Sequence, residues 1–117
     1  LNVPFGTVVA PITVPLGEDG VQVRLIDQGK DTPHVDAYWM RCAPHTLRRA
    51  EAHTAGTRES LTLISGWLEA GPEGATTPLQ PGDTITFAAD QPHLYRTQEA
   101  EATLMMTITY GIKGETP

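Results

Sequence analysis

Glycine and proline break this chain every few residues: 11 glycines and 10 prolines fall between short runs rich in Thr, Val, Ile and Leu. β-Branched residues suit a pleated strand, and Gly and Pro supply the turns that end it, so this rhythm predicts many short strands. The expected strands are Val21 to Asp27, Val35 to Cys42, Thr46 to His53, Ser60 to Glu69, Thr84 to Ala88, His93 to Thr97 and Ala102 to Gly111. Between them, Gly17-Glu18-Asp19-Gly20, Gly71-Pro72-Glu73-Gly74 and Pro81-Gly82-Asp83 carry residues that reach positive φ or preset φ for tight turns. Turns this frequent fit an all-β antiparallel sandwich or barrel. Leu47 to Glu59 has a helical alternative in Leu47-Arg48-Arg49-Ala50-Glu51. Against it stand the poor helix formers of His53-Thr54-Ala55-Gly56-Thr57 and an alternation that puts Leu47, Arg49, Glu51 and His53 on one side of a strand.

A chain of 117 residues, 39% hydrophobic and 19% charged, is the size and composition of one ordinary globular domain. Its net charge of -6, with only 8 Lys and Arg, argues against nonspecific binding to nucleic acid, which needs a basic face. A single cysteine, Cys42, excludes an internal disulfide and favours a reducing, cytoplasmic setting; the residue itself reads as a small buried core group. No stretch approaches the roughly 18 apolar residues of a membrane span, so no membrane partner is expected.

Two stretches carry chemistry. In Glu51 to Gly66, strand geometry places Glu51 and His53 on one face of the first strand, and Glu59, Leu61 and Leu63 on one face of the next, with Gly56 permitting the turn between. In Pro81 to Thr97, Ile85 and Phe87 share a face, and beyond Pro92 so do His93, Tyr95 and Thr97. If these faces are the interior of a barrel, His53, Glu59 and His93 meet in a largely apolar cavity, beside Glu51, Phe87 and Tyr95. His34 and His45 read as loop or surface residues. Arg41, Arg48 and Arg49 read as a solvated strand face that has the chemistry to hold an anion. Trp39, Trp67, Phe87, Met105 and Met106 read as packing.

The two stretches resemble the two sequence motifs of the cupin superfamily. Glu59 followed by Gly66 matches the glutamate and glycine of the first motif, and Gly82 with His93 matches the second. The form His53-x-x-Gly56-x-x-Glu59 is similar to the cupin domains that follow a helix-turn-helix domain in regulators of the XRE family. This chain departs from the pattern at three places. Glu51 stands at the first position of the usual His-x-His, Ala88-Ala89-Asp90 replaces Pro-x-Gly, and Thr97 replaces the final asparagine.

The resemblance implies a small cupin-type antiparallel β-barrel, a jelly roll or double-stranded β-helix, over residues 16–117. Residues 1–15 would then be a linker from a helix-turn-helix domain absent from this sequence. It implies a metal site at His53, Glu59 and His93, with Glu51 as a further ligand, suited to one divalent iron, manganese, nickel or zinc ion; the alternative is a metal-free pocket. The function implied is sensing of a small-molecule effector by a homodimeric transcription regulator that reaches DNA through its other domain. The alternative is a metal-dependent cupin enzyme of the oxygenase, epoxidase or isomerase type; a further one is a purely structural dimerisation domain.

Overall fold

The computed structural model describes residues 12–13 and 20–111, and all regular elements among them are strands. In chain order these are β1 (Ile12–Thr13), β2 (Val21–Gln28), β3 (Val35–Cys42), β4 (Leu47–Ala50), β5 (Arg58–Ser65), β6 (Leu68–Pro72), β7 (Thr77–Leu79), β8 (Thr84–Ala88), β9 (His93–Arg96) and β10 (Ala102–Thr109). Every pairing is antiparallel, in a six-stranded sheet of order β1-β2-β3-β10-β5-β8 and a four-stranded sheet of order β4-β9-β6-β7. The all-β antiparallel architecture expected from the glycine and proline spacing is therefore the one found. The helical alternative for Leu47 to Glu59 is excluded by β4 and β5.

Strand alternation builds the interior in levels. On β5 the inward side chains are Glu59, Leu61 and Leu63; on β10 they are Ala102, Leu104, Met106 and Ile108. The register sets Leu104 between Leu63 and Met40, Met106 between Leu61 and Tyr38, and Ile108 between Glu59 and Asp36. One end of the interior is thus closed by Leu63, Leu104 and Cys42, joined from the other sheet by Leu68, Ala70 and Leu79. Along the same strands Tyr38 enters at the next level, and Glu59 and Asp36 at the one after. The barrel is dry and packed at one end and polar at the other, and the site lies at the polar end.

Several boundaries differ from expectation. Ser60 to Glu69 is not one strand: it breaks at Gly66 and Trp67, so that β5 and β6 belong to different sheets. Gly66 has φ 87°, and a Cβ there would collide with the backbone of Glu101 and Ala102, so this corner requires glycine. The strand expected over Thr46 to His53 stops at Ala50, and β7 was not expected at all. The boundary expected near residue 15 falls outside the described residues, as do the segments 14–19 and 112–117; Ile12 and Thr13 pair with Leu25 and Arg24 of β2.

The packed end should dominate stability. Leu63 is fully buried while its neighbour Ile64 is 52% exposed. Leu63→Ala is expected to lower the unfolding free energy by about 2–5 kcal/mol, and Ile64→Ala to change it by less than about 0.5 kcal/mol, measured by chemical denaturation.

Candidate functional site

The polar end encloses a cavity of about 230 Å³ between the two sheets. Glu59 reaches it as the next inward position below Leu61 and Leu63 on β5. His93 and Tyr95 reach it from β9, which runs between β4 and β6. His53 comes from the irregular segment after β4, and that segment is tied at several points. Its own N–H donates to the Ala89 carbonyl (2.9 Å), the Ala89 N–H donates to Thr57 (2.8 Å), and the Gly56 N–H donates to the Asp90 carboxylate (2.9 Å). Gly56 takes φ 83°, which the turn from Thr54 to Thr57 requires. Ala89 and Asp90, within the three residues that depart from Pro-x-Gly, are therefore the anchors of the His53 loop.

His93 Nδ1 lies 2.8 Å from the Gln91 carbonyl, a contact that requires the proton to be on Nδ1. Its Nε2 faces Glu59 Oε2 at 3.3 Å, and both side chains are fully buried. Neither of these two atoms makes a hydrogen bond of acceptable angle within the protein. The spacing is that of an ion pair, but no direct hydrogen bond joins them, and both atoms keep the capacity for a further partner. Glu59 Oε1 accepts the Tyr95 hydroxyl. The His53 ring sits 5.5 Å from that of His93, and one donor atom from each of His53, Glu59 and His93 lies within 4.8 Å of the others. Ligand atoms about 2.1 Å from one tetrahedral ion sit about 3.4 Å apart, so this set would have to draw together to hold a metal.

A buried carboxylate oxygen opposite an imidazole lone pair demands a positive centre, either a proton or a metal ion. Burial alone pulls the His93 pKa down and is the largest influence. The Glu59 carboxylate facing it at 3.3 Å and the Gln91 carbonyl together outweigh it and hold the imidazole above its ordinary value. Burial, then the Glu59 charge and hydrogen bond, push the Tyr95 phenol well up, so it remains a protonated donor. Tyr38 is likewise pushed up, by burial first and then by Tyr110 and Asp36, whose carboxylate accepts its hydroxyl at 3.2 Å.

Of the expected site residues, the structure brings His53, Glu59, His93 and Tyr95 together around the cavity. Glu51 is not among them. It is exposed, beside Arg49, Glu73 and Pro92 in a separate surface hollow, because β4 ends at Ala50 and the alternation linking Glu51 to His53 ends with it. Its role as a fourth metal ligand is corrected accordingly. Phe87 is also outside the lining: it is buried next to Glu59 across the β5–β8 register, its ring 5.6 Å from that of His93, and supports that imidazole from the side. Thr97 is structural, donating to the Ala43 carbonyl at 2.6 Å and accepting the Thr46 N–H at 2.9 Å.

The remaining lining comes from Val23, Tyr38, Met40, Arg48, Ala50, Met106, Ile108 and Tyr110. Sequence reasoning missed Tyr38, although alternation from the apolar positions Met40 and Cys42 is a signal that points it inward. Arg48 was concealed by the assumption that Leu47, Arg49 and His53 share the inner face; Leu47 and Arg49 are exposed, and Arg48 and Ala50 face in.

The raised His93 pKa has a signed consequence for the metal-free protein. The folded state holds the proton more tightly than the unfolded chain, so the pair's contribution is complete below the unfolded value near 6.5 and is lost as pH rises through the folded one. In the presence of chelator, stability should fall across that window in denaturation series. His93→Ala should remove this dependence and cost about 3–5 kcal/mol, because it strands a buried carboxylate.

No family model matches the chain, and no curated protein matches it. Solved structures do. The cupin-2 domain of an XRE family transcriptional regulator from Enterobacter cloacae is 29% identical, with a TM-score of 0.74, over 80% of this chain and 99% of that one. An HTH_3 family transcriptional regulator from Vibrio cholerae is 18% identical with a TM-score of 0.74; 80% of this chain is covered, and it spans 52%, about half, of that protein. A sugar phosphate isomerase from a cupin superfamily, from Silicibacter pomeroyi, is 20% identical with a TM-score of 0.61, over 80% of this chain and 61% of that one. Taken with the barrel and with Glu59, Gly66, Gly82 and His93 at their motif positions, these likenesses show that the chain belongs to the cupin superfamily.

Proposed function

We propose that this domain is the effector-sensing part of a DNA-binding transcriptional regulator, and that a small molecule held in the cavity biases the placement of an attached DNA-binding dimer. The observation that carries the reading is the pair of buried, unsatisfied atoms, His93 Nε2 and Glu59 Oε2, turned toward a cavity in a fold shared with a regulator's cupin domain. Contact with DNA falls to a domain outside this sequence, in keeping with the net charge of -6. Regulation requires the effector to favour one arrangement of the full protein, since equal affinity for both shifts nothing. A homodimer in the cytoplasm suits this role, and no helix among the described residues is long and apolar enough to cross a membrane.

The donor set fits a metal ion: His53, Glu59 and His93 would hold it, and Oε2 and Nε2 are the orphaned atoms such an ion would satisfy. Two imidazoles and one carboxylate suit iron, manganese, nickel or zinc. A bound ion would supply positive charge to orient or polarise a ligand's oxygen. Tyr95 fixes the orientation of Glu59, and the Gln91 carbonyl fixes the tautomer of His93.

The same donor set supports a second reading, a metal-dependent enzyme, given the likeness to the isomerase. Binding is favoured over turnover because the lining among the described residues offers no general base apart from the donors themselves. Tyr38 and Tyr95 hold their protons more firmly than an ordinary phenol.

Protein purified without a histidine tag should release a small molecule on denaturation, detectable by mass spectrometry, at near-stoichiometric amount in wild type and strongly reduced in Glu59→Gln and His93→Ala. Stoichiometric iron whose removal, or the His93→Ala change, abolishes consumption of oxygen or a substrate would overturn the sensor reading in favour of the enzyme. A coding sequence upstream of Leu1 that carries a helix-turn-helix would support the regulator assignment, and a stop codon just before an in-frame start near Leu1 would sink it.

A further inference from the structure

Tyr38 gives the cavity a chemical preference that the three donors do not. Strand alternation on β3 turns Asp36, Tyr38 and Met40 inward, and Asp36 arrives there as a carboxylate only 6% exposed. Both of its oxygens are engaged: Oδ1 lies 2.8 Å from His34 Nε2, and Oδ2 accepts the Tyr38 hydroxyl at 3.2 Å. A buried carboxylate oxygen that loses its donor keeps its desolvation cost, so the proton of Tyr38 is held on Asp36. A phenol has one proton to give, and with that proton committed the Tyr38 oxygen can only accept. Tyr95 is in the same state, its proton committed to Glu59. Two of the hydroxyls that line the cavity therefore present lone pairs to whatever enters.

The charges around the cavity argue against an ion at this wall. A ligand carboxylate or phosphate would set its oxygens against the lone pairs of Tyr38 and Tyr95, with the Asp36 and Glu59 carboxylates behind them. Arg48, opposite Tyr95 in the β4–β9 register, already has an interaction within the protein and is no anchor for an anion; its charge still opposes a cation placed beside Tyr95. A neutral ligand that brings its own hydrogen-bond donor meets neither objection. A hydroxyl suits the wall better than an amide, whose carbonyl would need a donor beside it. The lining also includes Val23, Met40, Met106 and Ile108, an apolar bed for a hydrocarbon body. The cavity volume of about 230 Å³ lies below the roughly 300–1,000 Å³ of pockets for drug-sized ligands.

We infer that the cavity takes a small neutral alcohol, its hydroxyl donating to the Tyr38 oxygen and its aliphatic body on Val23, Met40, Met106 and Ile108. Asp36 is the positioning residue that fixes the direction of the Tyr38 proton, and the inference rests on the sensor reading. The test is calorimetric titration of the full chain, with chelator throughout, using 1-hexanol, 2-hexanone, hexanoate and hexylamine. Hexanol should bind saturably and roughly tenfold or more tighter than hexanone, which offers only an acceptor to an acceptor, and tighter than either ion. Asp36→Leu frees the Tyr38 proton to donate, so the preference should shift toward hexanone; Asp36→Asn, whose amide oxygen still accepts, should keep it. A merely structural Asp36 would weaken both probes alike. Should Asp36→Leu fail to fold, Tyr38→Phe carries the test: hexanol should weaken by about fivefold while hexanone changes little. Tighter binding of hexanone, hexanoate or hexylamine to the wild type overturns the alcohol assignment while leaving a ligand-binding cavity in place, as does a hexanol-to-hexanone ratio unchanged in Asp36→Leu or Tyr38→Phe. Failure of every probe to bind overturns it as well, and release of a co-purified molecule from the wild type then decides the sensor reading separately.

Discussion

The unsatisfied contact between Glu59 and His93 is the constraint around which the polar end of this barrel is organised. Two fully buried groups face each other at 3.3 Å without a proper hydrogen bond between them. A proton on Nε2 satisfies them, and so does a metal ion; an apolar seal does not, because each atom would keep its desolvation cost. The neighbours serve this pair. Tyr95 holds one carboxylate oxygen and the Gln91 carbonyl holds the far ring nitrogen, so the two free atoms are aimed by bonds made behind them. Phe87 supports the ring from the side. A fold maintained for stability alone would be better served by extending the leucine levels of β5 and β10 through this position.

The rigidity of the donors is unequal. Glu59 sits within β5, flanked by β10 and β8, and His93 within β9, flanked by β4 and β6. His53 is on a loop held by backbone bonds to Ala89 and by the exposed Asp90 carboxylate on Gly56. Exposed bonds of this kind open at lower free energy than paired strands. A ligand or ion that draws the three donors together will therefore move His53 toward a nearly fixed Glu59–His93 pair. Its displacement will be felt first where the loop is anchored, at Ala89, Asp90 and Gly111, whose N–H bonds Thr57 at 3.1 Å.

Much of this arrangement was legible in the sequence because strand alternation is a strong rule wherever both ends of a strand are known. The bounds of β3 and β8 follow from their flanking turns, and the series Glu59, Leu61, Leu63 reads directly as an inward face. The rule failed where a strand ended early. Glu51 and His53 are two residues apart, but only four residues of that segment are strand, so counting by twos past Ala50 predicts nothing. The same miscount turned β4 inside out and hid Arg48. Phe87 shows a different limit: it faces inward on β8 as expected, yet β8 is the last strand of its sheet, and depth along the sheet decides whether an inward residue meets the cavity or only its wall.

That limit also explains why the cavity's chemistry is richer than its motifs. The motif residues occupy β5, β9 and the loop between β4 and β5, which supply the donors. The rest of the wall is β2, β3 and β10, whose inward residues Val23, Tyr38, Met40, Met106 and Ile108 belong to no motif and look like ordinary core. Each lies on a strand that elsewhere contributes to the dry end through Val21, Cys42, Leu104 or Ala102, and nothing in residue type separates Met40 from Cys42. Their division into core and cavity wall is made by Glu59 and His93. These two, one from each sheet, leave this end of the interior too polar to pack, and the space opens where leucine gives way to charge.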